Sequence, residues 1–271
     1  MEQYIPQNLD KSVIRAIISV GGILFFLIIE LIMPYRQSSV SKLKRWVNNF
    51  LLTIFNSIIL QVAFSATIIA TALYVTTHKL GAMNLEIVSG LPQWARILIF
   101  IVFLDFLLYV WHVLNHAMPL LWRFHRVHHS DLNMDVSTAT RFHIGELAIS
   151  AVIKISLIFL TGADITSIFI YECAVVFCAQ FHHSNLRIHR WFEIVYWILF
   201  VPPSMHRIHH SVIRKEMDSN YGTIFSIWDR IMGTLVTGVD QSRIRIGLIP
   251  YQDTKKLNIQ HILVMPFTKN E

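Results

Sequence analysis

Cysteine is almost missing from the 271 residues: there are two, Cys173 and Cys178, and both fall inside one apolar run. That excludes a disulfide framework and any thiolate-held iron–sulfur or zinc site built from this stretch of chain. Charge is also scarce. Charged residues make up 15% against 54% hydrophobic, and mean hydropathy is +0.50, which describes an integral membrane protein rather than a soluble core. No His-Glu-xx-His occurs, so a zincin-type hydrolase is disfavoured. Carboxylates are sparse among the histidines, which argues against a Glu-xx-His di-iron bundle. Residues 1–10 are polar but not basic, the apolar run behind them is long, and no small-residue cleavage site follows, so no cleavable signal is expected.

The net charge of +6 and pI near 9.4 could point to nucleic acid, but the Lys and Arg residues sit mainly beside apolar runs. They read as membrane-flanking, and no nucleic-acid partner is expected. Apolar stretches at 13–33, 50–75 and 94–117 read as spanning helices, and 144–179 reads as a membrane hairpin broken near Thr161-Gly162-Ala163-Asp164. The connection carrying Arg36, Lys42, Lys44 and Arg45 should face the cytoplasm, because the 78–92 loop has Lys79 alone. Lys154 and Glu172 lie nine residues on either side of Ala163, hence at equal depth in the hairpin. They are either a buried pair or two separate charges facing lipid interface or cavity. Residues 191–201 resemble an interfacial helix ending at Pro202-Pro203, and 236–271 reads as a cytosolic tail. The whole is expected to be one membrane domain, 1–271.

Histidine is what the chain has in excess. Four clusters, His112/His116, His125/His128/His129, His182/His183 and His206/His209/His210, hold ten of its fourteen histidines. At about 100° per residue, Asp105, Tyr109, His112 and His116 fall within roughly 60° of one another on a helix. The spacing of His125, His128 and His129 likewise favours one face. Ten clustered imidazoles exceed what one ion binds and fit two. Neutral imidazole suits iron, copper or zinc, and two oxidisable ions at a membrane surface can activate dioxygen. Asp105, costly in mid-helix, is expected to accept from a histidine of another cluster. His143, beside Arg141 and Glu146, could be a ligand or a support. The competing readings are a membrane zinc hydrolase, and a metal transporter or bis-histidine haem protein; the transporter is disfavoured because most clusters lie beside helix ends rather than at mid-depth.

Over roughly 100–235 the chain resembles the fatty acid hydroxylase/sterol desaturase superfamily of membrane di-iron enzymes. The matching residues are Asp105-xxx-Tyr-xx-His-xxx-His, Leu121-Trp-xx-His-xx-His-His-Ser130, Arg141-x-His-xx-Glu146, His183-x-Asn185, Pro202-xx-His-Arg-x-His-His210, Asn220-Tyr-Gly222 and Trp228-Asp-xxx-Gly-Thr234. The resemblance implies His112, His116, His125, His128, His129, His183, His206, His209 and His210 as ligands of two iron ions, with zinc a possible substitute. His182 is an additional candidate ligand. Asp105, Tyr109, Glu146 and Asn185 are the expected non-histidine members of the site. It further implies an all-α integral membrane fold of about four to five membrane helices, with a helical cytosolic cap holding the dimetal site. The implied activity is oxygen-dependent hydroxylation or desaturation of a sterol, fatty acyl or related lipid, with electrons from a separate reductase and electron-transfer protein. The C-terminal end lacks paired lysines, which favours a bacterial inner membrane with the metal site facing the cytoplasm.

Overall fold

The computed structural model describes residues 11–269. The N-terminal segment read as lacking a signal, and the last two residues, lie outside them. Five helical stretches among the described residues are long and apolar enough to cross a membrane. The first is α1 (Lys11–Ala16), continued through a π-helical turn (Ile17–Gly21) into α2 (Gly22–Ile32). Next comes α3 (Lys42–Thr77), started by the Ser41 side chain accepting from the Lys44 amide. A short α4 (Glu86–Ser89) precedes α5 (Gln93–Ala117). The hairpin is α7 (Ile144–Thr161) and α8 (Ile165–His183).

The break in the hairpin has a local cause. Gly162 takes the left-handed conformation (φ 68°) that ends α7, and Asp164 caps α8 through the Ser167 amide. Glycine is also required by space there: a Cβ on Gly162 would lie 1.7 Å from the Leu80 carbonyl oxygen. This contact locks the 78–92 loop to the hairpin turn, and Ala72, Val75, Phe100, Leu104, Ile158 and Ile168 pack beneath it. Elsewhere the spans leave apolar side chains uncovered, as at Val62 (83% exposed) and Ile58, which suits a lipid solvent.

At the other end of the bundle the remaining elements form a cap: α6 (Pro119–His129), α9 (Arg190–Trp197), α10 (Pro203–His209), α11 (Arg214–Met217), α12 (Ile227–Ile231) and α13 (Ile259–Val264). Buried polar groups tie it to the spans. One carboxylate oxygen of Glu30, in α2, accepts from the Val136 amide at 2.9 Å and the Asn185 amide at 2.8 Å. Arg45 bridges Asp131 and Asp135, and Asn49 reaches Asp131 and Ser137. Because α3 starts at Lys42, eight residues before the expected span, its first two turns supply these anchors. Helix α8 likewise runs past 179 to His183, so that pair of histidines stands on a helix end.

Part of the expected tail packs against α3 and α6. Ile262 and Met265 are buried against Leu52 and Val127, and Arg126 donates to the Met265 and Thr268 carbonyls. Lys154 and Glu172 do pair (2.9 Å), with Arg15 as a second partner of Glu172, although Lys154 keeps 40% of its side chain exposed. The helix expected over 191–201 is α9, which stops at Trp197 and leaves Trp191, Ile194 and Val195 uncovered, as is Ile198 just beyond it.

Candidate metal centre

Nine imidazoles converge in two adjoining groups. His112, His116, His125, His129 and His209 form one, and His128, His183, His206 and His210 the other; within each group the facing donor atoms all lie within 4.8 Å of one another. The groups abut: the rings of His129 and His210 stack at 4.5 Å, and those of His128 and His129 are 5.4 Å apart.

Helical periodicity explains the division. On α6, His125 and His129 are four apart and share a face, whereas His128 points about 60° to the other side of His125. Helix α6 therefore gives two rings to the first group and one to the second. His206, His209 and His210, at the end of α10, do the reverse. Helix α5 adds His112 and His116 to the first group, and α8 adds His183 to the second. The expectation that His125, His128 and His129 serve one face is thus corrected: their helix lies between the two groups.

Six of the nine rings are oriented by Nδ1, while Nδ1 of His129, His206 and His210 is buried without a protein partner. Carbonyl oxygens only accept, so Nδ1 of His112 donates to Tyr221 O (2.8 Å), His209 to Ser219 O (2.7 Å), His183 to Ala179 O (2.7 Å) and His128 to Arg141 O (3.3 Å). His125 Nδ1 faces Glu146 at 3.0 Å, and His116 Nδ1 faces Asp218 at 3.1 Å. A neutral ring whose Nδ1 carries the proton presents a bare lone pair at Nε2.

Those lone pairs meet. Nε2 of His183 lies 3.1 Å from that of His128 and 2.9 Å from that of His206, while Nε2 of His112, His125 and His209 are buried with no protein partner. Buried acceptors facing one another without a proton are repulsive, and cations placed among them remove the conflict. All-imidazole donor sets of five and four suit two transition-metal ions. The residues present therefore fit the implied metal pair. Burial also keeps the rings uncharged: His128, His129, His206, His209 and His210 are held well below the ordinary imidazole range, first by loss of water and then by their neighbours' charge.

Not every expected member joins. His182 stands outside both groups, with its Nδ1 on Thr223 O and its ring 4.1 Å from that of His206. His143 caps α7 by accepting from the Gly145 amide, and its Nε2 donates to Leu263 O. Asp105 does not meet a histidine. It accepts from the Ile224 and Phe225 amides and the Trp228 indole, so its charge serves a loop and a cap tryptophan. Tyr109 bonds Thr234, and Asn185 holds the backbone of Arg36. Of the four non-histidine candidates, Glu146 alone touches one of the nine rings.

What sequence reading missed is a row of backbone. Ser219, Tyr221 and Thr223, alternate residues of one irregular stretch, turn their carbonyls to His209, His112 and His182. Carbonyls leave no side-chain signature, but the flanking Asn220 at φ 54° and the crowded Gly222 mark the constraint. Asn220 fixes the row by bonding Met205 O and both backbone groups of Val236. Asp229 holds it from the far side through the Tyr221 and Gly222 amides.

Comparison with known proteins agrees with this geometry. The chain is 30% identical to an ornithine lipid hydroxylase of Rhizobium tropici over 58% of its length, covering 46% of that protein. It is 26% identical to an alkylglycerol monooxygenase of Caenorhabditis elegans (56% of the chain, 29% of the relative). It is 24% identical to a cholesterol 25-hydroxylase of Rattus norvegicus (56% and 51%). The alignments thus span about half or less of these relatives' own length. No solved structure matches. The fatty acid hydroxylase family model matches residues 97–234, the stretch that runs from α5 through the row of carbonyls and holds all nine converging histidines. The chain belongs to the fatty acid hydroxylase family.

Proposed function

We propose that the protein is an oxygen-dependent lipid hydroxylase with two iron ions, one in each histidine group. The observation that carries this reading is the pair of adjoining, buried imidazole nests, in which Nε2 of His128 and His183, rings whose Nδ1 atoms donate to carbonyls, face each other at 3.1 Å. Two iron ions bound there would supply the redox chemistry that activates dioxygen toward an unactivated C–H bond. The chain's own contribution is positional. Backbone carbonyls, Glu146 and Asp218 fix ring tautomers, and burial of the nests keeps bulk water from the reacting groups.

Hydroxylation is favoured over desaturation because the named relatives are hydroxylases and monooxygenases. The substrate class is a membrane lipid, a sterol, fatty acyl or related chain, since the nests lie where α5 and α8 end at the cap. The cap faces the cytoplasm of a bacterial inner membrane, where the basic 36–45 connection would lie. Electrons come from a separate carrier and reductase. The test is lipid extraction from cells with and without the gene. The expected outcome is a gain of about sixteen mass units that requires dioxygen and a reductant. Turnover without oxygen by a zinc-only preparation would overturn the reading in favour of a hydrolase.

A further inference from the structure

The connection between α2 and α3 forms one wall of an open cavity of about 440 Å³ on the cap side. Arg36, Lys42, Arg207 and Arg245 line it, and none of the four forms an ion pair among the described residues. Arg45 also reaches it, but Asp131 and Asp135 already match that charge, and Asp135 is the one carboxylate in the wall.

Two of the guanidinium groups, those of Arg36 (5.6 Å) and Arg207, lie against the same Tyr35 ring. Arg207 is buried over the Tyr35 ring (4.2 Å) with one nitrogen on Gln241. It is depressed to about 10, first by burial and then by the charge of Arg36. Arg36 gives Nη1 to Ile244 O and keeps Nη2 buried without a partner. Two adjacent cations, one with an orphaned donor, are unfavourable unless an anion sits between them. Arginine forks match the oxygens of a phosphate.

Depth identifies the source of that phosphate. Leu31, Ile32 and Met33 at the end of α2, and Leu43 and Val47 at the start of α3, are exposed apolar side chains on either side of the connection. They belong among acyl chains, which puts the cavity at headgroup level. A buried donor inside a concavity also suits a small group better than the flat face of a protein.

We propose that this cavity binds the phosphate of an anionic membrane phospholipid, held by Arg36 and Arg207 with Lys42 and Arg245 at the rim. The site stands apart from the hydroxylase reading and does not depend on it.

The test is thermal unfolding of the purified full chain in an uncharged detergent. It is titrated separately with dioctanoyl phosphatidylglycerol, dioctanoylglycerol, inorganic phosphate and an oligoglutamate peptide. Phosphatidylglycerol at saturation is expected to raise the midpoint by about 5 °C. The other three should raise it by less than half as much. The double variant Arg36→Gln/Lys42→Gln, which removes the orphaned Nη2 donor and one rim charge, should lose most of the shift, and Lys255→Gln on a neighbouring surface should keep it. An equal shift from inorganic phosphate would assign the site to a free anion, and one from dioctanoylglycerol to the acyl chains alone. A larger shift from the peptide would assign it to an acidic protein. Each of these, or an undiminished shift in the double variant, overturns the proposal.

Discussion

The Asp218 carboxylate joins a buried ring to the cap surface: Oδ1 lies 3.1 Å from His116 Nδ1, and Oδ2 is ion-paired with Arg214. Arg214 in turn lies over Trp122, whose ring is tilted against that of His116 at 5.0 Å. Asp218 thus fixes the tautomer of His116 from outside the nest, as Glu146 does for His125. Asp218→Ala should weaken retention of the metal at the first group by about ten-fold or more. Competition against a chelator measures it. Unchanged retention would mean that the carboxylate does not orient the ring.

Acid should destabilise the metal-free chain earlier than its carboxylates require. His128, His129, His206, His209 and His210 stay neutral when folded, but in the unfolded chain each takes a proton below about pH 6.5. The unfolded state then binds more protons, so stability falls as pH drops through that value and is flat above about 7.5. Asp131, pulled down to about 2 by Arg45 against the upward push of burial, adds a second loss below about pH 4. Unfolding midpoints from pH 8 to 2 report both. A midpoint that does not move between 7.5 and 5 would contradict the burial of neutral rings.

Two glycines with positive φ separate backbone strain from steric clash. Gly162 and Gly233 sit at φ 68° and 73°, but a Cβ at Gly233 meets nothing within 4 Å, whereas at Gly162 it meets the Leu80 carbonyl. Gly233→Ala should cost about 1 kcal/mol, and Gly162→Ala about 3 kcal/mol or fail to fold. Comparable losses would show that the 78–92 loop can move off the hairpin turn.

Charge within the spans gives a ranking. Glu172 is shared by Lys154 and Arg15, so Glu172→Gln leaves two like charges without a counter-ion, while Lys154→Gln leaves Glu172 paired with Arg15. Glu172→Gln should lower the unfolding midpoint more than Lys154→Gln, and more than the two changes combined. The reverse order would mean that Glu172 is stabilised by lipid or water rather than by these cations.

The sequence carried the parts of this account that have a period or a residue type. Apolar length placed the spans, and His-xx-His-His together with His-xxx-His marked eight of the nine converging rings. The division into two groups was not legible, because the i+3 and i+4 positions of His-xx-His-His both neighbour the first, and only the rings supplied by other helices separate His128 from His129. What stayed hidden depends on groups without side-chain identity or on distant partners. The carbonyls of Ser219 and Tyr221 could not be read, nor could the recruitment of Glu30 by the Val136 and Asn185 amides. Asp105 illustrates the limit: burial marked it as important, but its partners came from 119 and more residues away and were not imidazoles.

The most direct test of the two-nest account is metal analysis of anaerobically purified full chain, combined with Mössbauer spectroscopy after iron-57 loading. The account predicts about two iron ions per chain in distinguishable nitrogen-rich environments, with His112→Ala depleting one signal and His206→Ala the other. A single ion per chain, or both variants depleting the same signal, would contradict it.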